Sequence, residues 1–123
     1  IQWKGCKPVQ RNKSYDVDKA IKMESELLLA KTKKEDLIIC LDKAGKSFDT
    51  LKLKQNFDNW ISSSKDISFL VGGPDGLSPE CIRRSHLVWS LSGLTFPHSL
   101  IPVLLIEQIY RVWSITQNHP YHR

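Results

Sequence analysis

Apolar residues along the chain follow two spacings, one typical of buried strands and one typical of helices. A continuous apolar run at residues 37–41 and strand-like runs at 67–71 and 86–91 have the length and the β-favouring composition of buried strands. Apolar residues recur every three or four positions at residues 16–33, 48–62 and beyond residue 99, and a short segment at 79–85 allows about two further helical turns. This alternation predicts an α/β fold with a mostly parallel sheet and helices on both of its faces.

The sequence also predicts where some elements begin and end, and which side chains each helix buries. The first strand run is expected to stop at Asp42, with a loop over residues 43–47 that contains Gly45. Ser78 and Pro79 suit the N-cap and the first position of the short helix. The expected stripes are Val17, Ala20, Ile21, Glu24, Leu27, Leu28 and Lys31 in the first helix, and Leu51, Leu53, Phe57, Trp60 and Ile61 in the second.

The final helix is apolar on nearly all sides over residues 100–115. Ser99 is a candidate cap, Pro102 falls in the first turn, and Glu107 and Arg111 stand one turn apart in the order that favours an ion pair. A sheet covers only one side of such a helix. We therefore expect a second copy of the chain to cover the rest, which predicts a homodimer.

Composition places few limits on function. The 123 residues, 41% hydrophobic and 25% charged, suit a single domain over residues 1–123, and no apolar run is long enough to span a membrane. A net charge of +5 is compatible with RNA as a partner without requiring it. Cys6, Cys40 and Cys81 form no C-x-x-C pair, and reduced thiols in a cytoplasm are expected. Residues 1–3 look like the tail of a strand, so the chain is expected to begin inside its fold.

The strand-like run at residues 67–71 ends in the most suggestive stretch, Gly72-Gly73-Pro74-Asp75-Gly76. A strand that ends in a glycine turn and leads into a helix is where open α/β sheets bind ligands. The stretch has neither the Lys-Ser/Thr pair of a P-loop nor the G-x-G-x-x-G pattern of dinucleotide sites. A ligand site and a tight structural turn both remain compatible with it.

Other catalytic patterns are missing from the sequence. No serine lies in a G-x-S-x-G elbow, and nothing local supports a dyad of Cys81 with a distant histidine. His119 and His122 are separated by a proline with no further cluster, so no metal is expected. The C-terminal tail combines aromatic, basic and hydrogen-bonding groups that suit RNA bases and phosphates, although a frayed terminus has the same composition. The basic segment at residues 4–14 is expected to be a loop that either reaches phosphates or is simply solvated.

Four separated segments together resemble one family. LVGGPDGLS at residues 70–78, WSLSGLTFPH at 89–98, EQIYRVWSI at 107–115 and NHPYHR at 118–123 are similar, in this order, to the signatures of the bacterial ribosomal large-subunit RNA pseudouridine N3-methyltransferases. That family belongs to the SPOUT class of methyltransferases. Leu41-Asp42 followed by Gly45-Lys46 fits it as well. Family members begin with a further strand and helix that this chain lacks, so the resemblance implies an N-terminally incomplete domain.

The resemblance implies a C-terminal trefoil knot, a rare exception to the rule that chains do not thread loops. It implies S-adenosyl-L-methionine as cofactor, a homodimer in which the tail of one subunit completes the site of the other, and a cytoplasmic enzyme. The implied substrate is a pseudouridine of large-subunit ribosomal RNA on the assembled ribosome. By matching motifs, the cofactor would lie against Leu41, Asp42, Gly72, Gly73, Gly76, Ser92, Gly93, Leu94, Thr95, Phe96 and Pro97.

Residue chemistry suggests catalytic roles beside this resemblance. Arg111 and Arg123 are candidates to stabilise an N3 anion on the base. His98 and His122 are candidate general bases, because imidazole titrates near neutral pH. Tyr121 could stack on a flipped base or donate a hydrogen bond to it.

Two other functions remain open. A non-catalytic RNA-binding α/β module would use the basic loop and the tail, and would bind RNA in a salt-sensitive way without S-adenosylmethionine. Another α/β enzyme could use the same glycine turn for a different small ligand, such as a nucleotide. Calorimetric titration with S-adenosylmethionine distinguishes all three.

Overall fold

Strands and helices alternate along residues 2–4, 16–72 and 75–122, the part of the chain that this computed structural model describes. The predictions made for Gly73, Pro74, Arg123, Cys6 and most of the basic loop lie outside the described residues. The predicted α/β alternation is confirmed. The elements in order are β1 (Gln2–Lys4), α1 (Asp16–Ala30), β2 (Leu37–Lys46), α2 (Thr50–Ser62), β3 (Ile67–Val71), α3 (Pro79–Arg84), β4 (Leu87–Trp89), a 3-10 turn (His98–Leu100) and α4 (Ile101–Thr116).

The described strands form one parallel sheet in the order β1-β3-β2-β4. Alternate side chains of the strands point to opposite faces, and each face has its own apolar cluster. One cluster joins residues such as Ile39, Phe69 and Trp89 to helices α2 and α4. The other joins residues such as Cys40 and Leu70 to α1 and α3. Helices therefore cover both faces, as the sequence predicted.

The prediction that the first strand run ends at Asp42 is wrong, because β2 continues to Lys46. The backbone of β2 leaves its pairing with β4 after Leu41 and resumes it at Lys46, so that Leu41 and Lys46 both lie opposite Trp89 on β4. The Ser90 N–H then donates to the Lys46 carbonyl at 2.8 Å. These contacts are made by the backbone, and a polar sequence can make them without any apolar pattern.

Helix α1 ends at Ala30 rather than at residue 33, and its buried face differs from the predicted stripe. Leu27 is 51% exposed, whereas Ser25 is buried. The Ser25 hydroxyl accepts a hydrogen bond from the Ser78 N–H at 2.9 Å, which ties α1 to the start of α3. A satisfied polar group is thus buried at a position outside the predicted stripe, while Leu27 within the stripe is exposed.

Helix α2 buries Leu53, Phe57 and Trp60 as predicted, but Leu51 and Ile61 are exposed. Its N-cap is Asp49, whose carboxylate accepts from the Lys52 N–H at 2.8 Å. The predicted stripe was too wide, because one helix face against a sheet needs only the central row of apolar residues.

The ends of the later elements agree with the sequence only in part. Ser78 caps α3 by accepting from the Cys81 N–H at 3.3 Å, with Pro79 in the first turn, as predicted. Ser99 does not cap the last helix, because it lies within the 3-10 turn and α4 begins at Ile101 without a side-chain cap. The strand predicted at residues 86–91 covers only Leu87–Trp89.

Helix α4 leaves a large apolar surface uncovered in the single chain. Val103, Ile106, Tyr110 and Trp113 are exposed, and the last three border an open apolar cavity of about 440 Å³ that reaches the α2 residue Phe57. Contiguous apolar surface of this kind marks interaction sites. Within the described residues, no helix combines the length and apolar character needed to cross a membrane.

Candidate functional site

A cavity of about 460 Å³ opens at the carboxyl ends of β2, β3 and β4. This edge of a parallel sheet is where open α/β folds bind ligands, and the volume lies within the range of small-molecule sites. The described lining residues come from three segments that are distant in sequence: Leu41, Asp42 and Lys43; Val71, Gly72, Asp75 and Gly76; and Trp89, Ser90, Leu91, Ser92, Leu94, Thr95, Phe96, Pro97, His98 and Ile101.

The structure places most of the predicted cofactor-binding residues around this cavity. Leu41, Asp42, Gly72, Gly76, Ser92, Leu94, Thr95, Phe96 and Pro97 all line it. Gly93 does not line the cavity, and a Cβ added there would meet no atom within 4 Å. Gly73 lies outside the described residues. The three segments converge because the strands that lead into them are neighbours in the sheet, and sequence spacing alone does not give that proximity.

The glycine turn brings two stretches of backbone into close contact at the cavity wall. A Cβ added at Gly72 would lie 2.9 Å from the carbonyl carbon and oxygen of Gly76, closer than real side chains come. Gly76 has φ +89°, which L-residues with a side chain rarely adopt. The Asp42 carboxylate lies 3.2 Å from the Cβ position of Gly76. Glycine is therefore required on this wall for steric and conformational reasons.

Local hydrogen bonds shape the other two walls. Asp42 accepts from the Ala44 N–H at 2.9 Å, which turns the chain directly after Leu41. In the third segment the Ser90 hydroxyl donates to the Ser92 carbonyl at 2.9 Å, and the Leu94 N–H donates to the Ser92 hydroxyl at 3.0 Å. These bonds hold the loop after β4 folded over the cavity without regular secondary structure.

Lys43 is a lining residue that the sequence pattern did not single out. Its ammonium group donates to the Thr95 hydroxyl at 2.7 Å, and both side chains are exposed. The bond therefore joins the first and third segments at the rim of the cavity. The available signal was the position of Lys43 beside Asp42, at the carboxyl end of a predicted central strand.

His98 is the one proposed catalytic residue, among those described, that lines the cavity. It is half-buried at the start of the 3-10 turn that leads into α4. Arg111, Tyr121 and His122 lie elsewhere. Arg111 is ten residues beyond Ile101 on α4, about 15 Å further along the helix axis.

Those three residues form a cluster around Glu107, which the sequence indicated only as an ion-pair partner. The Glu107 carboxylate accepts from Arg111 at 2.6 and 2.9 Å and from the Tyr121 hydroxyl at 3.2 Å. Arg111 Nη1 lies 3.1 Å from His122 Nδ1, and Arg111 Cζ lies 5.1 Å from the centroid of the Tyr121 ring. Because a guanidinium only donates, Nδ1 is the acceptor, and the ring in this arrangement carries its proton on Nε2.

This arrangement changes what Arg111 does within one chain. Its positive charge is balanced by the Glu107 carboxylate, and the pair folds the tail back onto α4. Arg111 is therefore arranged here to position Tyr121 and His122, rather than to face the cavity as an unpaired cation. The predicted ion pair between Glu107 and Arg111 is confirmed.

The buried cysteines lie on the other face of the sheet. Cys40 on β2 donates its thiol proton to the Cys81 carbonyl at 3.7 Å. The hydrogen bond to the Cys81 side chain and burial raise the pKa of the Cys40 thiol, so Cys40 stays in its un-ionised form. Cys40 packs in the apolar cluster on this face of the sheet. Among the described residues, no group of three or more His, Cys, Asp and Glu side chains is placed to hold a metal ion.

Comparison with known proteins adds an independent finding. Residues 1–122 match the family described as "Predicted SPOUT methyltransferase". A protein of Thioalkalivibrio sulfidiphilus is 46% identical over 115 residues, which cover 94% of this chain and 74% of that protein. Proteins of Alkalilimnicola ehrlichii and Coxiella burnetii are 46% and 48% identical over 114 residues, which cover 93% of this chain and 73% and 74% of those proteins. All three are named Ribosomal RNA large subunit methyltransferase H.

Proposed function

This chain belongs to the SPOUT methyltransferase family, together with proteins named Ribosomal RNA large subunit methyltransferase H, and on that basis we propose that it is a ribosomal RNA methyltransferase. In the finer form of the proposal it transfers a methyl group from S-adenosyl-L-methionine to N3 of a pseudouridine in large-subunit RNA, on the assembled ribosome in the cytoplasm. The observation that carries the proposal is the cavity formed by three separated segments at the carboxyl ends of β2, β3 and β4.

The residues around the cavity fit the proposed cofactor. Leu41, Val71 and Leu91 supply apolar wall, while the glycine turn offers backbone groups that no side chain obstructs. Asp42 and Asp75 supply carboxylates that suit hydroxyl or ammonium groups. We further propose that the segments after β2, β3 and β4 are the three loops of a trefoil knot.

When bound, S-adenosylmethionine supplies a methyl group on a positively charged sulfur. The task of the protein is then to hold N3 of the base in line with that methyl group, and such positioning alone supplies much of the rate. His98, at the cavity wall, is the candidate to take the N3 proton. No described group from the tail lines the same cavity.

We therefore propose a homodimer in which the tail cluster of one subunit reaches the cavity of the other. The exposed apolar face of α4 supports this proposal, because α4 also carries Arg111. A second subunit packed on that face would therefore lie close to the tail cluster. In the dimer, Tyr121 and His122 would contact the substrate base, and Arg111 would keep its role of positioning them. Arg123 remains a proposed cation for the N3 anion.

Replacing Ile106 by aspartate is expected to convert the dimer into monomers. Ile106 is 56% exposed in the single chain, so the fold tolerates the change. A carboxylate buried without a partner costs about 3 kcal/mol or more, which weakens dimerisation by at least about 100-fold. Analytical ultracentrifugation measures the effect.

Leu27→Asp is the matched control for that variant. It places the same charge on a similarly exposed leucine, 51%, on α1 at the opposite face of the sheet. We expect it to stay dimeric. A dimer that survives Ile106→Asp, or one lost equally in both variants, contradicts an interface on α4.

Calorimetric titration with S-adenosylmethionine, followed by a methylation assay, tests the function itself. We expect one cofactor site per chain and transfer of one methyl group to ribosomal large subunits, located by mass spectrometry of the RNA. Ribosomes with uridine in place of pseudouridine should stay unmethylated. If the folded protein binds RNA in a salt-sensitive way but gives no heat with the cofactor, the protein is an RNA-binding module and the methyltransferase proposal fails.

A further inference from the structure

Lys43 occupies a distinctive position in the cavity. It is the one lysine or arginine among the described lining residues, in a cavity that also contains the carboxylates of Asp42 and Asp75. It lies on the segment of β2 that leaves the ladder between Leu41 and Lys46, so its side chain can reach the rim without disturbing strand pairing. There its ammonium group meets Thr95.

The ammonium group keeps binding capacity in this arrangement. A lysine ammonium has three donors, and the 2.7 Å bond to the Thr95 hydroxyl uses one of them. The Thr95 hydroxyl, in turn, fixes an otherwise flexible four-carbon side chain above the opening. A ligand group at the rim would meet a positive charge with two donors to offer.

The methionyl end of the proposed cofactor carries one carboxylate and one ammonium group. A partly desolvated carboxylate needs charge-assisted donors, and among the described lining residues Lys43 is the one with an ammonium group to provide them. The aspartates can accept from the ammonium group but repel the carboxylate. Charge complementarity would therefore favour a methionyl end whose carboxylate faces the rim between the first and third segments.

We propose that Lys43 binds the carboxylate of the methionyl end of S-adenosylmethionine and that Thr95 is its positioning residue. The proposal rests on the proposed function. It concerns cofactor recognition, and it assigns no role in the transfer step to either residue.

Two ligands that differ only in this carboxylate test the proposal: S-adenosylmethionine and its decarboxylated form, titrated calorimetrically. Wild type should bind the decarboxylated form about tenfold more weakly, as expected for a charge-assisted hydrogen bond at a partly exposed site. Lys43→Met should bind S-adenosylmethionine about tenfold more weakly and should no longer distinguish the two ligands. The wild-type difference should shrink as salt concentration rises.

Three further variants separate recognition from structure. Lys65→Met removes the same charge at an exposed position two residues before β3, at the amino end of the sheet and away from the cavity, and should behave as wild type. Lys43→Arg should restore most of the discrimination. Thr95→Val should weaken binding of S-adenosylmethionine while leaving affinity for the decarboxylated form unchanged.

Each other result overturns the proposal for a distinct reason. Equal weakening of both ligands by Lys43→Met would make Lys43 a structural residue. Unchanged affinity for both ligands, with weaker binding of ribosomes, would place Lys43 against RNA phosphate instead. If the wild-type protein binds both ligands equally, it does not recognise the carboxylate; this result contradicts the role of Lys43 and leaves the proposed function intact. If the wild-type protein binds neither ligand, the proposed function is contradicted as well.

Discussion

Replacing Gly45 by alanine is expected to destabilise the protein strongly, because this glycine packs directly against the backbone of β4. The added Cβ would lie 2.6 Å from the carbonyl carbon and oxygen of Val88 and 2.8 Å from the Trp89 nitrogen. No side-chain rotation relieves a contact with backbone atoms, so the β2–β4 pairing must open. We expect a loss of about 3 kcal/mol, at the upper end of overpacking costs, or roughly 10 °C in Tm. Urea and thermal unfolding followed by circular dichroism measure it.

Gly93→Ala is the control for this variant. Gly93 is exposed, its φ lies outside the left-handed region, and an added Cβ meets nothing within 4 Å. We expect a stability change within about 0.5 kcal/mol, because the added methyl group has room and only stiffens the unfolded chain. Equal stabilities for the two variants would show that residues 42–45 do not pack against β4 as described.

Mixing two inactive variants is expected to restore methylation, if each site combines two subunits. Gly72→Ala displaces the glycine turn of the cavity, because its Cβ meets the Gly76 backbone at 2.9 Å. The double variant Tyr121→Ala/His122→Ala removes the two tail side chains of the cluster. Each parent should fall to about one hundredth of the wild-type rate or below, since misplacing reacting groups costs about that much.

In the mixed dimer, the cavity of the tail variant meets the intact tail of the cavity variant. With free assortment half of the dimers are mixed and each contains one intact site, so co-expressed subunits should recover about a quarter of wild-type activity. A mixture of Gly72→Ala with Gly76→Ala, both cavity variants, cannot form an intact site and should recover nothing. No recovery in the first mixture would mean that each chain completes its own site, and the shared-site proposal would be wrong.

The secondary structure followed from the sequence wherever burial creates a pattern. The run at residues 67–71 became a strand with those limits, and Leu53, Phe57 and Trp60 packed on the sheet as their spacing predicted. Two of the misplaced features share one cause. The extension of β2 to Lys46 and the bond between Ser25 and Ser78 satisfy backbone or hydroxyl groups, and such bonds leave no hydrophobic period in a sequence.

The glycine stretch is the feature whose interpretation the structure sharpened most. Its residues alone were compatible with a structural turn, and the contact between Gly72 and Gly76 shows that the turn is in fact tight. The same turn also forms one wall of the cavity, so the two interpretations describe one feature rather than alternatives. Lys43 was missed because its hydrogen bond to Thr95 spans fifty-two positions of sequence.

By itself the sequence determined the alternation of strands and helices and the family, and its motifs named most of the residues that line the cavity, because burial periodicity and motif composition are local properties of the chain. Only the tertiary structure decided that His98 lies at the cavity while Arg111, Tyr121 and His122 gather around Glu107. It also decided that Lys43 stands at the rim. Such proximities depend on strand order and on the direction of α4, and residue spacing within the sequence encodes neither. The arrangement of chemical groups at the site is therefore known only once the pairing of the strands is known.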